Sequence, residues 1–573
     1  MTIALALLGI APSAAAKEPG VVLAWVPSDT TVAELADAGF SPGVMSAGLG
    51  TVPPTQTYLD VGQGNRVFDS LYDQPLPAGK RGPGWWREVV ERAETAPAEI
   101  EPGLLRKTLR EAGARAWFSE SARSSLDRLL SKRNCDLLIA IARPTGKSDE
   151  PLPIGIKGAG FDGNLTSDST RMDGYVLSTD VAPTILDRLG IDIPSQMSGQ
   201  PIHAEGSVDP AAIESLVGRM DVISSRRGPV IGLNVIVWLA ALLIVTLLSR
   251  GRLSRKGVRL TGLTIVYLPL VLLLGAALEP KETAEQLLVL LLSPLLGTVT
   301  LLLLKGYRAL AVASALTVLA YAIDVIAGSP LTSLSLLGPN PGLGVRFYGI
   351  GNELEALLAV LVVAGTGAAL AGFVRRASAR AAAVAFVAAG LIAAFVFAAG
   401  RFGADVGAAI VFPVGAVVAA VVVAGRGRRT AVLAVVAAPF AVLALLALID
   451  LLSGANAHLT RSVLDAGGLG DLADVAQRRL QLSAHSFARP VLLAFLPVVA
   501  AAAALAYVRR DRLAVWVAGV PAMRAGLIGA LAATVVGTLA NDSGALLLEI
   551  GAAYLLVFTG FAWAESDAAP ADR

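Results

Sequence analysis

From about residue 229 onward, the chain consists of long apolar segments that are separated by short polar links. A helix that spans a bilayer needs about twenty mostly apolar residues. Lipid offers no hydrogen bonds, so segments of this length satisfy their backbone groups as helices. The pattern therefore predicts an all-α polytopic membrane bundle of about eleven helices, at 229–249, 260–279, 285–304, 309–327, 353–373, 382–400, 405–424, 430–451, 490–508, 522–540 and 544–563.

The residues before this bundle have a more polar composition and are predicted to form a separate domain. Over the whole chain only 16% of residues are charged, against about 25% in a typical soluble protein. We expect an extracytoplasmic α/β domain at 17–225, the bundle at 229–563 and a cytoplasmic tail at 564–573. Residues 1–16 are apolar and end in small residues but lack a basic start, so they are expected to be either a signal peptide or an N-terminal anchor.

The charges in the links indicate which way the bundle is oriented. Every second link is rich in arginine or lysine, for example around Arg252, Arg308 and Arg510. Basic links collect on the cytoplasmic side of a membrane. We therefore expect an integral plasma-membrane protein with its N-terminal domain outside and its C-terminus inside. The net charge of +2 gives no reason to expect a nucleic-acid partner.

Polar residues are concentrated at the predicted non-cytoplasmic ends of several spans. Ionisable groups at membrane depth are costly and commonly face a cavity or a partner. Asp and Asn at a helix start also serve as simple caps, so both interpretations stay open. Glu355 belongs to this group, and the candidate catalytic residues are Glu353, Asp405, Arg346, Arg401, Glu549 and Asp542.

The longest predicted outer link, 452–489, carries several basic residues on a loosely amphipathic pattern. Guanidinium groups suit the geometry of phosphate, so this link is a candidate binding surface for a phosphate-bearing head group. A solvated connector between two spans is the alternative. The candidate binding residues are His458, Arg461, Arg478, Arg479 and His485.

The region 17–225 alternates between strand-like and helix-like patterns. Val21–Val26 and Asp136–Ile141 are short apolar runs that predict buried strands, and 104–112 predicts a helix that Gly113 ends. Such alternation is typical of an α/β layered domain. Cys135 is the single cysteine of the chain, which excludes an intramolecular disulfide and leaves it as a core thiol.

A motif near the end of this region carries a family resemblance. Asp180 or Thr179 is placed to cap a helix, Pro183 fits its first turn and Gly190 ends it. The run Asp180-Val-Ala-Pro-Thr-Ile-Leu186 resembles the Asp-x-x-Pro-Thr-[Ile/Leu]-Leu segment of the alkaline phosphatase/sulfatase superfamily. The resemblance covers about residues 20–205 and implies a phosphatase-like fold. In that family a Ser or Thr at a helix start attacks the substrate beside two metal ions.

This chain departs from the family at the catalytic positions. Thr55 and Thr57 lie in the nucleophile region, and Asp29 is at most a remnant metal ligand. His203 is the only histidine of the region, whereas zinc sites want nitrogen or sulfur donors. We therefore expect a degenerate, alkaline-phosphatase-like domain that holds no metal and no cofactor and acts as a binding or scaffolding module.

The membrane half also carries a resemblance. Phe347–Glu353 and Asn541–Gly544 resemble motifs of a Gram-positive envelope protein family in which a degenerate phosphatase-type domain precedes a helix bundle. That resemblance implies no defined reaction. The functional hypothesis is a multi-pass envelope protein that assists the assembly or transfer of a lipid-linked or polymeric substrate, with membrane lipid as its other partner. The alternatives are a proton-coupled transporter or exporter and a membrane-tethered phosphoester or sulfate-ester hydrolase.

Overall fold

The computed structural model describes residues 20–79, 82–114, 116–119, 135–146, 149–249, 252–374, 378–427 and 496–566, together with scattered positions between 429 and 493. The chain divides into two compact units. The N-terminal unit comprises Met1–Gly218 and Gly342–Val345, and the helical unit comprises Arg219–Pro341 and Arg346–Arg573.

The N-terminal unit has an α/β fold, as the sequence predicts. Its described strands are β1 (Val21–Val26), β2 (Ser41–Ser46), β3 (Ala116–Ser119), β4 (Leu137–Ala142), β5 (Leu152–Gly158), β6 (Asn164–Ser167), β7 (Tyr175–Leu177) and β8 (Ile202–Glu205). Six of them form one mixed sheet in the order β3-β1-β4-β5-β2-β7, while β6 and β8 pair as a separate antiparallel ribbon. Within the large sheet β5 runs antiparallel to both of its neighbours, β4 and β2.

Helices cover this sheet because its central strands are apolar on both faces. The described helices of the unit are α1 (Val32–Asp37), α2 (Pro54–Gln63), α3 (Pro83–Glu94), α4 (Leu104–Glu111) and α5 (Val181–Arg188). Leu23 and Ile139 point into a core shared with α4 and α5, whereas Val22 and Leu138 join Leu35 of α1 on the other face. Burial on both faces explains why β1 and β4 are continuous hydrophobic runs.

The helical unit is made of long apolar helices, as predicted. Its described helices are α6 (Pro210–Gly228, shared with the first unit), α7 (Asn234–Leu248), α8 (Arg255–Leu278), α9 (Glu282–Leu303), α10 (Tyr307–Ile326), α11 (Asn352–Phe373), α12 (Ala379–Ala398), α13 (Val406–Val423), α14 (Leu496–Val508), α15 (Arg510–Trp516), α16 (Pro521–Ala540) and α17 (Gly544–Glu565). A π-helical turn at Pro229–Leu233 joins α6 to α7. Within the described residues, nine helices are long and apolar enough to cross a membrane.

These nine helices correspond to nine of the eleven predicted spans. The predicted span 430–451 falls almost wholly outside the described residues, and 490–508 is represented by the thirteen residues of α14. Leu302 and Leu248 are 80% and 81% exposed within the protein. Exposing leucine side chains along long helices is favourable in lipid and unfavourable in water, so the protein is membrane-embedded.

Small residues bring three of the helices into close contact. At the crossing of α13 and α16, Gly529 lies against Gly415, and an added Cβ at Gly529 would overlap the Gly415 carbonyl oxygen. Gly526 approaches the backbone of α11 in the same way, with its added Cβ 3.1 Å from the Ala364 Cα. Since lipid provides little hydrophobic drive between helices, close packing of this kind holds such bundles together.

We predict that Gly529→Ala lowers the stability of the helical unit by about 1–3 kcal/mol, because its methyl group meets backbone that has no room to move. The matched control is Gly232→Ala, whose methyl group would meet nothing within 4 Å. Thermal unfolding of the two full-length variants in the same detergent measures the difference. Equal midpoints would contradict the proposed packing.

Candidate functional site

The N-terminal unit has a cavity of about 230 Å³ at the carboxyl ends of its strands. Ser28 follows β1, Ala47 follows β2 and Arg143 follows β4, and all three residues line the cavity. Ligands of α/β proteins bind preferentially at this edge of the sheet. The position therefore makes the cavity a candidate binding site.

Of the two threonines in the predicted nucleophile region, Thr57 lines this cavity. Thr55, two residues earlier on α2, does not. The Thr57 side chain is fully buried, and its Oγ1 has no hydrogen-bond partner among the described residues. Arg143 donates from Nη2 to the Trp25 carbonyl at 3.2 Å, and Glu150 completes the polar lining. A hydroxyl, a guanidinium and a carboxylate thus surround a small space.

Asp29, the one predicted remnant ligand, and His203, the only histidine of the region, lie on different segments of the unit. Asp29 is exposed after β1, whereas His203 lies on β8 and pairs with Glu205 at 3.1 Å. In the part of the chain that the structure describes, no group of three or more His, Cys, Asp or Glu side chains is arranged to hold a metal ion.

Asp180, the aspartate of the motif that resembles the phosphatase family, connects several segments of the fold through hydrogen bonds. The carboxylate of Asp180 is fully buried and accepts four hydrogen bonds, from Ser167 Oγ (2.7 Å), Ser169 Oγ (2.6 Å), Leu177 N (2.9 Å) and Gln200 N (3.0 Å). It occupies the N-cap position of α5 but does not bond to the first turn of that helix, which corrects the predicted cap. All four bonds are internal to the fold, so this residue is structural.

A second buried carboxyl, Asp60 on α2, was missed in the sequence. It accepts from Gln56 Nε2 at 2.8 Å and Gln63 Nε2 at 3.2 Å. Burial raises the pKa of Asp60 to about 7, although the bond from Gln56 and the positive charges of Arg66 and Arg92 act to lower it. The signal was present as a Gln-x-x-x-Asp-x-x-Gln pattern, which places three polar side chains on one face of a helix.

This pKa predicts a pH-dependent stability. An unfolded aspartate has a pKa of about 3.9, so between about pH 4 and pH 7 the folded state binds the extra proton and stability falls as the pH rises. The loss amounts to roughly 4 kcal/mol by pH 7. We expect Asp60→Asn to abolish this slope and Asp187→Asn, at an exposed position on α5, to preserve it. Hydrogen-exchange protection of the β1 amides in the full-length protein measures both; an unchanged slope in Asp60→Asn would refute the assignment.

The helical unit has a buried polar cluster where α11, α13 and α16 meet. Glu355 of α11 is fully buried, and its Oε2 accepts from Asn541 Nδ2 at 2.6 Å. The carboxyl group of Asp405, 3% exposed at the N-cap of α13, lies within hydrogen-bonding reach of that of Glu355 and accepts from Gly407 N at 3.1 Å. Arg346 Nη2 lies 4.0 Å from Asp405 Oδ1. We call Glu355, Asp405, Asn541 and Arg346 the carboxyl cluster.

Glycines make this close approach possible. A Cβ at Gly407 would lie 2.5 Å from Asn541 Nδ2 and would overlap Glu355 Oε2. Gly349 has a φ of +77° and packs against the Gly403 carbonyl, while Ile350 N donates to the same oxygen at 3.1 Å. The glycines of the Phe347–Glu353 motif therefore allow the segment that follows Arg346 to pack closely against the turn that precedes Asp405.

The other candidates from the sequence lie around or outside the carboxyl cluster. Glu353 is two residues from Glu355, on a different face of α11, and pairs with Arg227 at 3.0 Å. Asp542 accepts from Asn352 Nδ2 at 3.0 Å, and Arg401 is exposed with its guanidinium 5.3 Å from the Phe402 ring centroid. Glu549 lies inside α17, with its Oε1 buried and without a hydrogen-bond partner in the described part of the chain. The candidate binding residues His458, Arg461, Arg478, Arg479 and His485 lie outside the described residues.

A buried ion-pair group at the start of α9 was not anticipated. Glu285, 1% exposed, accepts from Arg219 Nη2 and Arg226 Nη1 at 3.0 Å each. From the sequence Glu285 is an ordinary residue of a polar link. Its burial depends on the arginines of α6, which lie about sixty residues earlier, and no local pattern reveals that pairing.

We predict that Glu285→Gln costs about 3 kcal/mol or more, because it leaves two arginines partly uncompensated in a buried setting. Glu353→Gln is the matched control in the same unit, since its pair with Arg227 is partly exposed and is worth about 1 kcal/mol or less. Thermal unfolding in detergent compares them. A similar loss in both variants would show that burial does not decide the strength of these pairs.

Comparison of the chain with protein-family models, with curated proteins and with solved structures gave no match in any of the three.

Proposed function

We propose that this protein is an integral membrane protein of the cell envelope that assists the assembly or transfer of a lipid-linked or polymeric substrate at the non-cytoplasmic face. The carboxyl cluster is the observation that carries the proposal. Burying two carboxyl groups among membrane helices is costly, and such groups are retained chiefly where they act on a substrate or an ion.

The position of the carboxyl cluster along the helices supports a site at the non-cytoplasmic face of the membrane. It lies at the beginnings of α11 and α13 and at the end of α16. The basic links occur at the opposite ends of these helices, at Arg380 in the first turn of α12, which follows α11, and at Arg426 after α13. By the positive-inside rule, the cluster then opens away from the cytoplasm, on the side proposed for the N-terminal unit.

For the N-terminal unit we propose a binding role in an extracytoplasmic, degenerate phosphatase-like domain. The cavity beside Thr57 and Arg143 supports binding of a small polar or anionic group. Its mixed sheet and its Asp180 motif are compatible with the family resemblance. Ester hydrolysis by the full-length protein that disappeared in Thr57→Ala would instead identify a membrane-tethered hydrolase.

A proton-coupled transporter is the second candidate, because the Glu355–Asp405 pair is a buried carboxyl pair of the kind that proton relays use. Flux in proteoliposomes separates the two candidates. A transporter carries its substrate across the bilayer under a proton gradient and loses that coupling in Glu355→Gln, whereas an assembly protein shows no such flux.

We predict that Glu355→Ala and Asp405→Ala fail to restore envelope assembly in cells that lack the protein, with lipid-linked precursors accumulating at least tenfold over wild type, a change of about 1.4 kcal/mol in the limiting step. The control is Asp511→Ala, an exposed residue of α15. Precursor levels are compared at equal amounts of folded protein in the membrane. Full restoration by both cluster variants would refute the proposed site.

A further inference from the structure

The two acids of the carboxyl cluster are buried against each other. Glu355 and Asp405 contribute two carboxyl groups, and Arg346 contributes one positive charge. At the same ends of the helices, Glu353 faces Arg227, Asp542 bonds to Asn352, and Arg401 is exposed on the turn before Asp405. If both acids were ionised, two negative charges would face each other among side chains that are almost completely buried, which costs several kcal/mol.

The hydrogen bonds of the two carboxyl groups also favour a bound proton. Glu355 Oε2 accepts from Asn541, and Asp405 Oδ1 accepts from Gly407 N. Glu355 Oε1 has no donor among the described residues, although its carboxyl group lies against that of Asp405. An ionised carboxylate only accepts hydrogen bonds, so two such groups attract each other only when a proton lies between them.

A metal cation fits this arrangement less well than a proton. Hard cations take about six or more oxygen ligands, whereas two of the four carboxylate oxygens here are already engaged by N–H donors. In the described part of the chain no third acidic, histidine or cysteine side chain completes a ligand group around them.

We propose that Glu355 and Asp405 form a proton-binding site that holds one exchangeable proton between their carboxyl groups. Arg346, with its side chain 34% exposed, lies beside Asp405 and connects the pair to water. This site would give the carboxyl cluster a group that donates and accepts a proton during envelope assembly, and that role rests on the proposed function. The presence of the bound proton does not depend on the proposed function.

The test is infrared difference spectroscopy of the full-length protein in lipid at neutral pH, where the C=O stretch of a carboxylic acid is resolved from the carboxylate bands. Glu355→Gln places an amide Nε2 where the proton lay, so it can donate to Asp405 in place of that proton and introduces no second negative charge. We expect the wild-type spectrum to contain one carboxylic acid band that Glu355→Gln lacks and that declines as the pH is raised. Protonated groups elsewhere, such as Asp60, cancel in the difference.

Glu353→Gln is the matched control, because Glu353 lies on the same helix but is paired with an arginine. It should retain the band. Asp405→Asn provides a second variant, since its amide would donate to an ionised Glu355 and the band should again be lost. Superimposable carboxylic acid bands in wild type and both cluster variants would overturn the proposal.

The outcome is separable from that of the proposed function. If the band is lost in Glu355→Gln but this variant still supports envelope assembly, the proton-binding site stands and its proposed use fails. If the band is unchanged, the proton-binding site fails whether or not assembly is affected.

Discussion

The helical unit depends on the absence of hydrogen-bonding solvent in lipid. Its backbone is satisfied by long helices, and those helices approach closely through glycines such as Gly415, Gly526 and Gly529. The same constraint decides where polar side chains lie. Glu285 is buried against two arginines, and Glu355 against Asn541 and Asp405. Both carboxyl groups are thus buried beside polar partners, which offset part of the cost of their burial.

The two polar groups of the helical unit differ in one physical respect. Around Glu285 two arginines face one carboxylate, both of its oxygens accept a hydrogen bond, and the group is a clamp between α6 and α9. In the carboxyl cluster two acids face one arginine, and an oxygen of Glu355 has no donor in the described part of the chain. Engagement of both carboxylate oxygens indicates a structural role for Glu285, whereas a carboxyl oxygen without a donor, as in Glu355, leaves room for a proton or a substrate. The same contrast separates Asp180 from Thr57 in the N-terminal unit.

Much of the architecture was predictable because it follows from local pattern. Segment length and apolarity predict the membrane helices, and short apolar runs predict β1 and β4. The site was predictable only in outline. Asp405 and Arg346 are conspicuous polar residues beside apolar spans, but Glu353 and Glu355 are indistinguishable in the sequence, and only helix rotation turns one to Arg227 and the other to Asp405. The pairing of Glu285 with Arg219 and the burial of Asp60 arise from tertiary contacts, which the composition of a single segment does not encode.

The proposed position of the carboxyl cluster on the non-cytoplasmic side of the membrane is tested most directly at the two ends of α9. Glu282 begins this helix and Lys305 follows it, and both are exposed. In a background in which Cys135 is replaced by alanine, Glu282→Cys and Lys305→Cys each introduce one thiol for a membrane-impermeant maleimide. We predict labelling of Glu282→Cys in intact cells and of Lys305→Cys only after permeabilisation. The reverse pattern would contradict it, since the cluster would then face the cytoplasm.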